Sequence, residues 1–371
     1  MSSFIIFSGF NNRAVISFLR TLYELKKKTK NLEFGVITLP YNDPILFTKY
    51  KKNVVSKREK IELNKEDIFK SIKQAKNKLK SDSCIIVPLT EALNRFLLEN
   101  REDLKELGCE IPLVEKNLYE LISDKIKFYE LCKDNNLLVP EEVEPSDKSL
   151  PFVAKPKYYY SKSGGVYSPI LLFTKTELKE FLRNYKIEDF FYQRFITGIS
   201  YYLLYYFTKK GEVIKLSQKN LIQQSGGKSI IAAIPSTFHY DKISLRIESL
   251  FLEIGFYGLV MVEIRREKDK DHLIEANPRF WGPSQLFVDA KPNLFEYFLS
   301  DLGITKIVSS SKTNYNVRYF WNGGIVKSKK TIVFHEYRPI DFIEEYKKWL
   351  KYDILLRKDT KELYFREILD E

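Results

Sequence analysis

The alternation of short apolar runs with amphipathic stretches in the first third of the chain constrains the fold most. The apolar runs are FIIF (4–7), EFGVITL (33–39) and CIIVPL (84–89), and the helical stretches run from about Asn12 to Leu25, after Asn64 and after Thr90. Strands that alternate with helices form parallel sheets, because a crossover helix returns the chain to the same end of the sheet. We therefore expect an α/β, Rossmann-like parallel sheet at the N-terminus. The turn after the first strand, SGFNN, lacks the GxGxxG pattern, so no dinucleotide site is expected there.

The pattern changes after a further helical stretch at about 117–135. Hairpins and longer strands follow, with isolated helices, which is typical of an α+β domain. In the clearest of these helices, DKISLRIESLFLEIG, apolar side chains recur at helical spacing before a predicted stop at Gly255. The polar segment PEEVEPSDKSLP (140–151) is the clearest loop.

Composition excludes several classes of protein. The 371 residues are 44% hydrophobic and 30% charged, as in soluble globular proteins. No apolar run approaches the roughly 18 residues that span a bilayer, and the N-terminus lacks the basic lead-in of a signal peptide, so no membrane association is expected. Three widely spaced cysteines and three histidines make neither a disulfide framework nor a zinc site. The expected location is a reducing cytoplasm.

The net charge of +12 raises the question of a nucleic-acid partner. The basic segments KKKTK (26–30) and KYKKNVVSKREK (49–60) favour one, but acids are interspersed through most helices. We favour a solvated, lysine-rich surface over a nucleic-acid groove. A small anionic substrate would be attracted by the same positive field.

The segment HLIEANPRFWG (272–282) ends an apolar run with an acid, an amide and an arginine. Side chains two apart on a strand share a face, so Glu275, Asn277 and Arg279 are expected to point the same way. The segment GLVMVEIRRE just upstream predicts a partner strand, joined through the short polar loop KDKD. If that loop has an odd number of residues, Glu263 falls opposite Glu275. Facing carboxylates indicate either a solvated edge hairpin or an all-oxygen Mg²⁺ site.

Two lysines lie where phosphate binding is chemically reasonable. Lys125 falls in the first turn of a helix that Ser123 would cap, where its charge opposes the helix dipole unless an anion such as Asp124 lies beside it. Lys155 ends the strand PFVAKP, and the glycine-containing loop SKSGG (161–165) follows. This arrangement suits either a phosphate contact with loop amides or an ordinary surface hairpin.

Two further segments suggest ligand binding but are interpreted otherwise. SGGKS (225–229) resembles part of a P-loop, yet position 222 is Ile rather than Gly and no buried strand is expected to lead into it. The aromatic run at 158–160 could stack bases, although packing against the neighbouring loop is the commoner role.

Taken in order, these segments resemble the ATP-grasp superfamily. Within this superfamily they resemble the carboxylate-amine ligases that have a preceding Rossmann-like domain. This group is related to biotin carboxylase and carbamoyl phosphate synthetase. It runs from residue 1 to about 300, and VEIRRE…HLIEANPRFWG is its most specific part. It implies a pre-ATP-grasp domain at 1–115, an ATP-grasp subdomain with a phosphate-covering loop at 116–200, a second subdomain with the metal site at 201–310, and a C-terminal extension at 311–371 that completes the fold or forms an interface.

The same resemblance implies a role for each site residue. The metal ligands would be Glu263, Glu275 and Asn277, holding two Mg²⁺ ions, with Mn²⁺ as an alternative. The contacts to ATP phosphates would come from Lys125 and Lys155, beneath a mobile loop that includes Ser163, Gly164 and Gly165. On the substrate side would lie Arg279 and, as a further cation near the γ-phosphate, Lys219. The nucleotide hinge would comprise Gln193, Arg194, Phe195, Ile196 and Ser200.

Two hinge positions depart from the family pattern. Gln193 stands where many members have Glu, and Ser200 stands where an acid commonly holds the ribose. Because adenine is recognised there largely through backbone groups, ATP use is still expected, while nucleotide selectivity is less constrained. The covering loop is also poorer in glycine than is usual in the family.

The implied reaction joins a small carboxylate, such as an amino acid, to an amine. The carboxylate would attack the γ-phosphate, and the resulting acyl phosphate would react with the amine to give an amide, ADP and phosphate. Because the carboxylate and the γ-phosphate are both anions, the site must concentrate positive charge, which metal ions and basic side chains supply. The alternatives are a nucleotide-binding protein without ligase activity, an ATP-dependent carboxylase, or another enzyme that forms an acyl phosphate. A dimer is the default expectation for a homo-oligomer.

Overall fold

The computed structural model describes residues 3–29, 32–162, 164–306, 312–328 and 332–369. The strands are Ser3–Phe7 (β1), Phe34–Thr38 (β2), Val54–Lys57 (β3), Cys84–Ile86 (β4), Cys109–Glu110 (β5), Phe152–Pro156 (β6), Ile170–Leu172 (β7), Phe190–Arg194 (β8), Ile199–Phe207 (β9), Val213–Gln224 (β10), Ile230–Ser236 (β11), Gly258–Glu267 (β12), Lys270–Asn277 (β13), Tyr319–Phe320 (β14) and Ile332–Phe334 (β15).

The helices connect and cover these strands. They are Asn12–Lys26 (α1), Lys65–Leu79 (α2), Glu91–Glu99 (α3), Arg101–Glu106 (α4), Lys116–Ser123 (α5), Lys125–Asp134 (α6), Lys175–Asn184 (α7), Lys242–Glu253 (α8), Gln285–Ala290 (α9), Leu294–Asp301 (α10), Asn322–Val326 (α11), Pro339–Leu350 (α12) and Lys361–Leu369 (α13). Within the described ranges, none of them combines the length and the apolar character that a membrane crossing requires.

The N-terminal sheet is parallel throughout, with strand order β3-β2-β1-β4-β5, and this confirms the predicted Rossmann-like fold. Every residue of β1 and β2 is buried, as expected for strands covered by helices on both faces. The helices predicted after Asn64 and after Thr90 are confirmed, and each of these two side chains caps its helix by accepting a hydrogen bond from a backbone N–H in the first turn. The carboxyl end of β4 leads directly into α3.

The remainder of the chain forms antiparallel sheets, which confirms the predicted α+β part. A large sheet has the order β13-β12-β9-β10-β11-β14, with β15 also pairing to β10, and a small sheet has the order β7-β6-β8. Helix α8 covers one face of the large sheet and ends before Gly255, whose φ of 70° gives the expected left-handed stop. The expected division into domains at 115, 200 and 310 stays a prediction.

The helical stretch expected at 117–135 is two helices, α5 and α6, separated by an extended residue at Asp124. The prediction that Ser123 caps the second helix is wrong, because Ser123 is the last residue of α5. Its hydroxyl accepts a hydrogen bond from Arg95 Nη2 at 2.8 Å and is therefore occupied elsewhere. Lys125 is nevertheless the first residue of α6, as the sequence indicated.

The C-terminal segment, which carries no motif, completes the large sheet. Strand β14 extends it beside β11, and β15 pairs with the far end of β10. The segment is also joined to the N-terminal domain, because Arg20 of α1 donates to Asp359 at 2.8 Å and to the Ile354 carbonyl at 2.9 Å.

One hydrophobic core joins the N-terminal sheet to the helices that follow the large sheet. Phe18 of α1 is fully buried, and its ring centroid lies 5.4 Å from that of Phe280, 5.1 Å from Phe295 and 6.1 Å from Phe298. Contacts of this kind hold the carboxyl ends of the parallel strands against the end of β13.

We expect Phe18→Ala to lower the free energy of unfolding by about 3–5 kcal/mol, because it leaves a cavity in this shared core. Tyr41→Ala is the control: Tyr41 is 74% exposed, and its loss should change the stability by at most about 0.5 kcal/mol. Equilibrium urea unfolding followed by circular dichroism measures both. Equal stabilities for the two variants would contradict a core shared between the domains.

Candidate active site

The site is organised around a pair of facing carboxylates on the β12–β13 hairpin. Its loop has two residues, 268–269, so the condition of an odd loop is not met, and an unbroken ladder would place Ile274 opposite Glu263. A bulge at this point inserts one residue, so that Glu263 pairs with Glu275 instead. The predicted juxtaposition of Glu263 and Glu275 is therefore confirmed, but a bulge rather than the loop length produces it.

The predicted polar row along β13 is also confirmed. Glu275 Oε1 accepts a hydrogen bond from Asn277 Nδ2 at 2.8 Å, and Asn277 Oδ1 accepts one from Arg279 Nη2 at 3.3 Å. Among the described residues, Arg279 has no ion-pair partner and otherwise donates only to the Phe280 carbonyl at 3.2 Å. Its charge is thus available to an anionic ligand.

Lys125 is the counter-cation of Glu275, with Nζ 2.8 Å from Oε2. Burial favours the neutral acid, but Lys125, Asn277 and Lys155 outweigh it and lower the pKa of Glu275 to about 2. The expectation that Asp124 neutralises Lys125 is wrong. The Asp124 carboxylate instead contacts Arg95 Nη2 at 2.6 Å and Lys127 Nζ at 3.3 Å.

Glu263 is less well compensated than Glu275. Burial raises its pKa, the nearby Glu275 charge raises it further, and Arg265 and Lys155 only partly oppose these effects. The one cation within ion-pair distance among the described residues is Arg265, with Nε 3.5 Å from Glu263 Oε1. An additional cation between the two carboxylates would therefore favour the ionised form of Glu263.

Lys155 is the penultimate residue of β6 and is almost fully buried beside this pair. Its ammonium donates to the carbonyl of the bulge residue Ile274 at 2.8 Å and has no carboxylate at ion-pair distance among the described residues. Burial, together with the neighbouring Lys125 charge, lowers the pKa of Lys155 to about 8 against the opposing effect of Glu275. A buried ammonium with unused donors suits a phosphate group.

These groups line a cavity of about 360 Å³ between the small and large sheets. Its lining includes the expected site residues Lys125, Lys155, Gln193, Arg194, Phe195, Ile196, Glu263, Glu275, Asn277 and Arg279. The hinge segment supplies its apolar end together with Pro140, Val153 and Leu171. A cavity of this size with a few convergent polar groups is typical of a small-molecule site.

Gln193 lines the cavity and carries a buried acceptor without a partner among the described residues. Its Nε2 donates to the Pro140 carbonyl at 3.1 Å, which fixes the orientation of the amide, while Oε1 is buried without a hydrogen-bond partner among the described residues. Arg194 is held by Glu267 at 2.9 Å, so its guanidinium is already neutralised. A ligand N–H group facing Gln193 Oε1 would satisfy the buried oxygen.

Among the predicted site residues that the structure describes, Ser200, Gly164, Gly165 and Lys219 do not line the cavity. Ser200 is fully buried, and its hydroxyl accepts a hydrogen bond from Asn220 at 2.9 Å. Gly164 and Gly165 instead form a turn, in which their amides donate to Ser161 at 2.9 and 2.8 Å. The residues that follow this turn, 166–169, line the cavity in their place. Ser163 lies outside the described residues.

Lys219 lies on the opposite face of the large sheet, so the expectation that it faces the substrate is not supported. It pairs with Tyr201, whereas Glu263 pairs with the next residue, Tyr202. Because successive side chains alternate between the faces of a strand, Lys219 and Glu263 point away from each other. The face that carries Lys219 is covered by Phe238, whose ring stacks on Tyr201 at 4.2 Å.

Several residues that line the cavity were not predicted from the sequence. The turn with Gly226, Gly227 and Lys228 lines the cavity, and β10 leads into it as a largely buried strand, contrary to expectation. A strand rather than a helix follows the turn, so it is still not a P-loop. Arg265 could have been predicted from the sequence as a cavity residue, because it lies two residues from Glu263 on the same strand and therefore on the same face. Glu91 could also have been found, at the carboxyl end of a parallel strand.

The aromatic run at 158–160 contributes to the site rather than only to the loop. Tyr158 and Tyr159 line the cavity. The Arg95 guanidinium lies 4.7 Å from the Tyr159 ring centroid, which fixes that ring through a cation–π contact.

The donor set fits a hard divalent cation. Two facing carboxylates and an amide are oxygen donors, which Mg²⁺ prefers, and they leave coordination positions for water and phosphate. In the described residues, no group of three or more His, Cys, Asp or Glu side chains could hold a metal by itself. Phosphate oxygens would therefore have to complete the coordination.

Comparisons with known proteins show what this chain is similar to. A sequence model described as "ATP-grasp domain" matches residues 122–283. No curated protein sequence gives a significant match. Among solved structures, similarity is high in fold and low in sequence.

Three of these structures illustrate the likeness. The biotin carboxylase domain of Hydrogenobacter thermophilus 2-oxoglutarate carboxylase, in complex with MgADP, ADP and bicarbonate, has a TM-score of 0.61 and 14% identity over 86% of this chain and 73% of that chain. Campylobacter jejuni biotin carboxylase has a TM-score of 0.61 and 13% identity over 86% and 74%. Thermotoga maritima N5-carboxyaminoimidazole ribonucleotide synthetase has a TM-score of 0.55 and 16% identity over 86% and 79%.

The facing carboxylates and buried lysines lie within the matched segment, and the N-terminal parallel sheet precedes it. Residues 122–283 match the ATP-grasp domain model, and the chain has the fold of these biotin carboxylase structures.

Proposed function

We propose that this protein is an ATP- and Mg²⁺-dependent ligase that joins a carboxylate to an amine through an acyl phosphate. The observation that carries the proposal is the pairing of Glu263 with Glu275 beside the buried Lys125 and Lys155. Outside a site for a polyanion and its metal ions, this concentration of buried charge would be costly to maintain.

The nucleotide would lie along the cavity from the hinge to the carboxylate pair. The adenine would occupy the apolar end, where its amino group can donate to the unused Oε1 of Gln193. Lys155 would contact the phosphates with the donors that it does not use on the Ile274 carbonyl. Lys125, which neutralises Glu275 in the ligand-free protein, would transfer its contact to a phosphate oxygen when that carboxylate receives a metal ion.

Glu263, Glu275 and Asn277 would hold two Mg²⁺ ions, or Mn²⁺ in their place. Such ions neutralise the phosphates and make the γ-phosphorus susceptible to an anionic nucleophile. The protein groups keep these ligands in position before the nucleotide arrives, because the bulge and the Lys125 contact already hold both carboxylates.

The acid substrate would bind on the side of Arg279 and Lys228, which lack ion-pair partners among the described residues. Its carboxylate oxygen would attack the γ-phosphorus, the bond to the ADP oxygen would break, and an acyl phosphate would result. The amine would then attack the acyl carbon, phosphate would leave, and the amine would lose a proton. Positioning and charge neutralisation would supply most of the rate enhancement.

A second candidate is the activation of bicarbonate. It is favoured by the bicarbonate bound in the Hydrogenobacter thermophilus structure and by the synthetase from Thermotoga maritima, which share this fold. The departures at Gln193 and Ser200 motivate a third candidate, a nucleotide-binding protein without ligase activity.

An ADP-release screen separates these candidates. The protein would be incubated with ATP and Mg²⁺ and with amino acids in pairs, each with and without bicarbonate. Release that requires two organic substrates supports the amide ligase, and release that requires bicarbonate supports a carboxylase. If the protein binds ADP but releases none from ATP with any pair of amino acids, the third candidate is favoured and the ligase proposal is overturned.

We expect Glu275→Ala and Lys155→Ala each to slow ADP release at least about 100-fold, since each removes a charge that stabilises the reacting phosphates. Lys219→Ala is the matched control, a lysine on a strand of the same domain that faces away from the cavity, and it should stay within about threefold of wild type. Circular dichroism would verify that all three variants fold. A large loss in Lys219→Ala alone would show that the site has been placed on the wrong face.

Nucleotide affinity should fall as the pH rises through the Lys155 pKa of about 8, because binding requires the charged ammonium. Below that pKa the contribution of Lys155 is fully present. Between about pH 7 and about pH 9 the affinity for MgADP should fall by about tenfold. Lys155→Arg stays charged throughout and should vary by less than about twofold. Calorimetric titration measures both, and equal profiles would contradict a phosphate contact by Lys155.

A further inference from the structure

The C-terminal strand β15 brings a buried histidine to the edge of the site. His335 donates its backbone N–H to the Leu221 carbonyl at 2.9 Å, and its ring Nε2 lies 2.9 Å from Gln223 Oε1. Gln223 Nε2 donates to the Lys228 carbonyl at 2.8 Å, so the oxygen of the same amide faces the imidazole. His335 must therefore donate through Nε2.

Gln223 connects two parts of the cavity wall. Its donation to the Lys228 carbonyl anchors the glycine turn, and Arg265 Nη2 donates to its Oε1 at 3.4 Å. The Nε of the same guanidinium lies 3.5 Å from Glu263 Oε1. A rotation of the Gln223 amide would thus disturb both the turn and the cation beside Glu263.

The imidazole is suited to hold this amide. His335 is buried, and burial together with the Arg265 charge lowers its pKa to about 4, so it is neutral near pH 7. The neutral ring with Nε2–H offers a donor of fixed direction and adds no charge next to Arg265.

We propose that His335 is a positioning residue for the metal site. Through Gln223 and Arg265 it sets the orientation of Glu263, so the C-terminal segment is part of the active centre although none of its described residues lines the cavity. This inference rests on the proposed function, because it assigns Glu263 to Mg²⁺. It goes beyond that function by making metal affinity depend on residues outside the ATP-grasp match.

The test measures the Mg²⁺ concentration that half-saturates ADP binding by calorimetry. His335→Leu should raise it about five- to tenfold, toward the range seen when a residue supporting a metal ligand is lost. His335→Gln keeps an N–H donor near the Nε2 position and should stay within about threefold of wild type. In EDTA, the affinity of both variants for ADP should stay within about twofold of wild type. A general loss of structure would lower this affinity as well.

His239→Leu is the matched control. His239 is also buried, has a pKa of about 4 and lies 2.9 Å from Ser217 of the same strand β10, but it is on the face away from the cavity. Its loss should leave the Mg²⁺ requirement within about twofold of wild type. If His335→Leu does not fold, Gln223→Met is measured instead and should show the same rise.

Three outcomes would overturn the inference: an unchanged Mg²⁺ requirement in the folded His335→Leu or Gln223→Met variant, an equal rise in His239→Leu, or no recovery in His335→Gln. Failure of the proposed function has a different signature. In that case the wild-type protein itself would show no Mg²⁺-dependent binding of ADP.

Discussion

Two carboxylates held face to face across a hairpin are the constraint around which this site is built. Like charges opposite each other destabilise a sheet, and here they are also buried. The fold holds them there through the bulge at Ile274, and the same bulge frees a carbonyl that accepts from Lys155. Lys125 neutralises Glu275, while Glu263 is left with a distant guanidinium. A divalent ion between the two carboxylates would favour the ionised form of Glu263, whose pKa burial and the Glu275 charge raise.

Packing elsewhere in the molecule holds these charged side chains in position. The core around Phe18 fixes the N-terminal sheet against the end of β13, so that Glu91 and Arg279 face one cavity. The small sheet supplies Lys155 and the hinge, and the C-terminal strand supports Gln223 from behind. Each element of the site is therefore held by packing outside it, which is how a preorganised centre avoids rearranging its charges when a ligand binds.

Much of the fold could be predicted because its signals are local. Strand–helix alternation, the caps at Asn64 and Thr90 and the stop at Gly255 all depend on neighbouring residues. The errors arose where a side chain had a choice of distant partners. Ser123 was expected to cap a helix but contacts Arg95, and Asp124 was expected beside Lys125 but pairs with Arg95 and Lys127.

The same distinction between local signals and distant partners applies to the candidate site. The sequence alone determined the polar row on β13, because period-two alternation places residues on a face without reference to the rest of the chain, whereas the two lysines were placed near it only by the family resemblance. Only the tertiary structure decided that a bulge, not the loop, pairs the carboxylates, that Lys219 faces away, and that the turn at 226–228 and the histidine at 335 join the site. Strand register and long-range contacts depend on how separate segments pack together, and no local pattern encodes that choice.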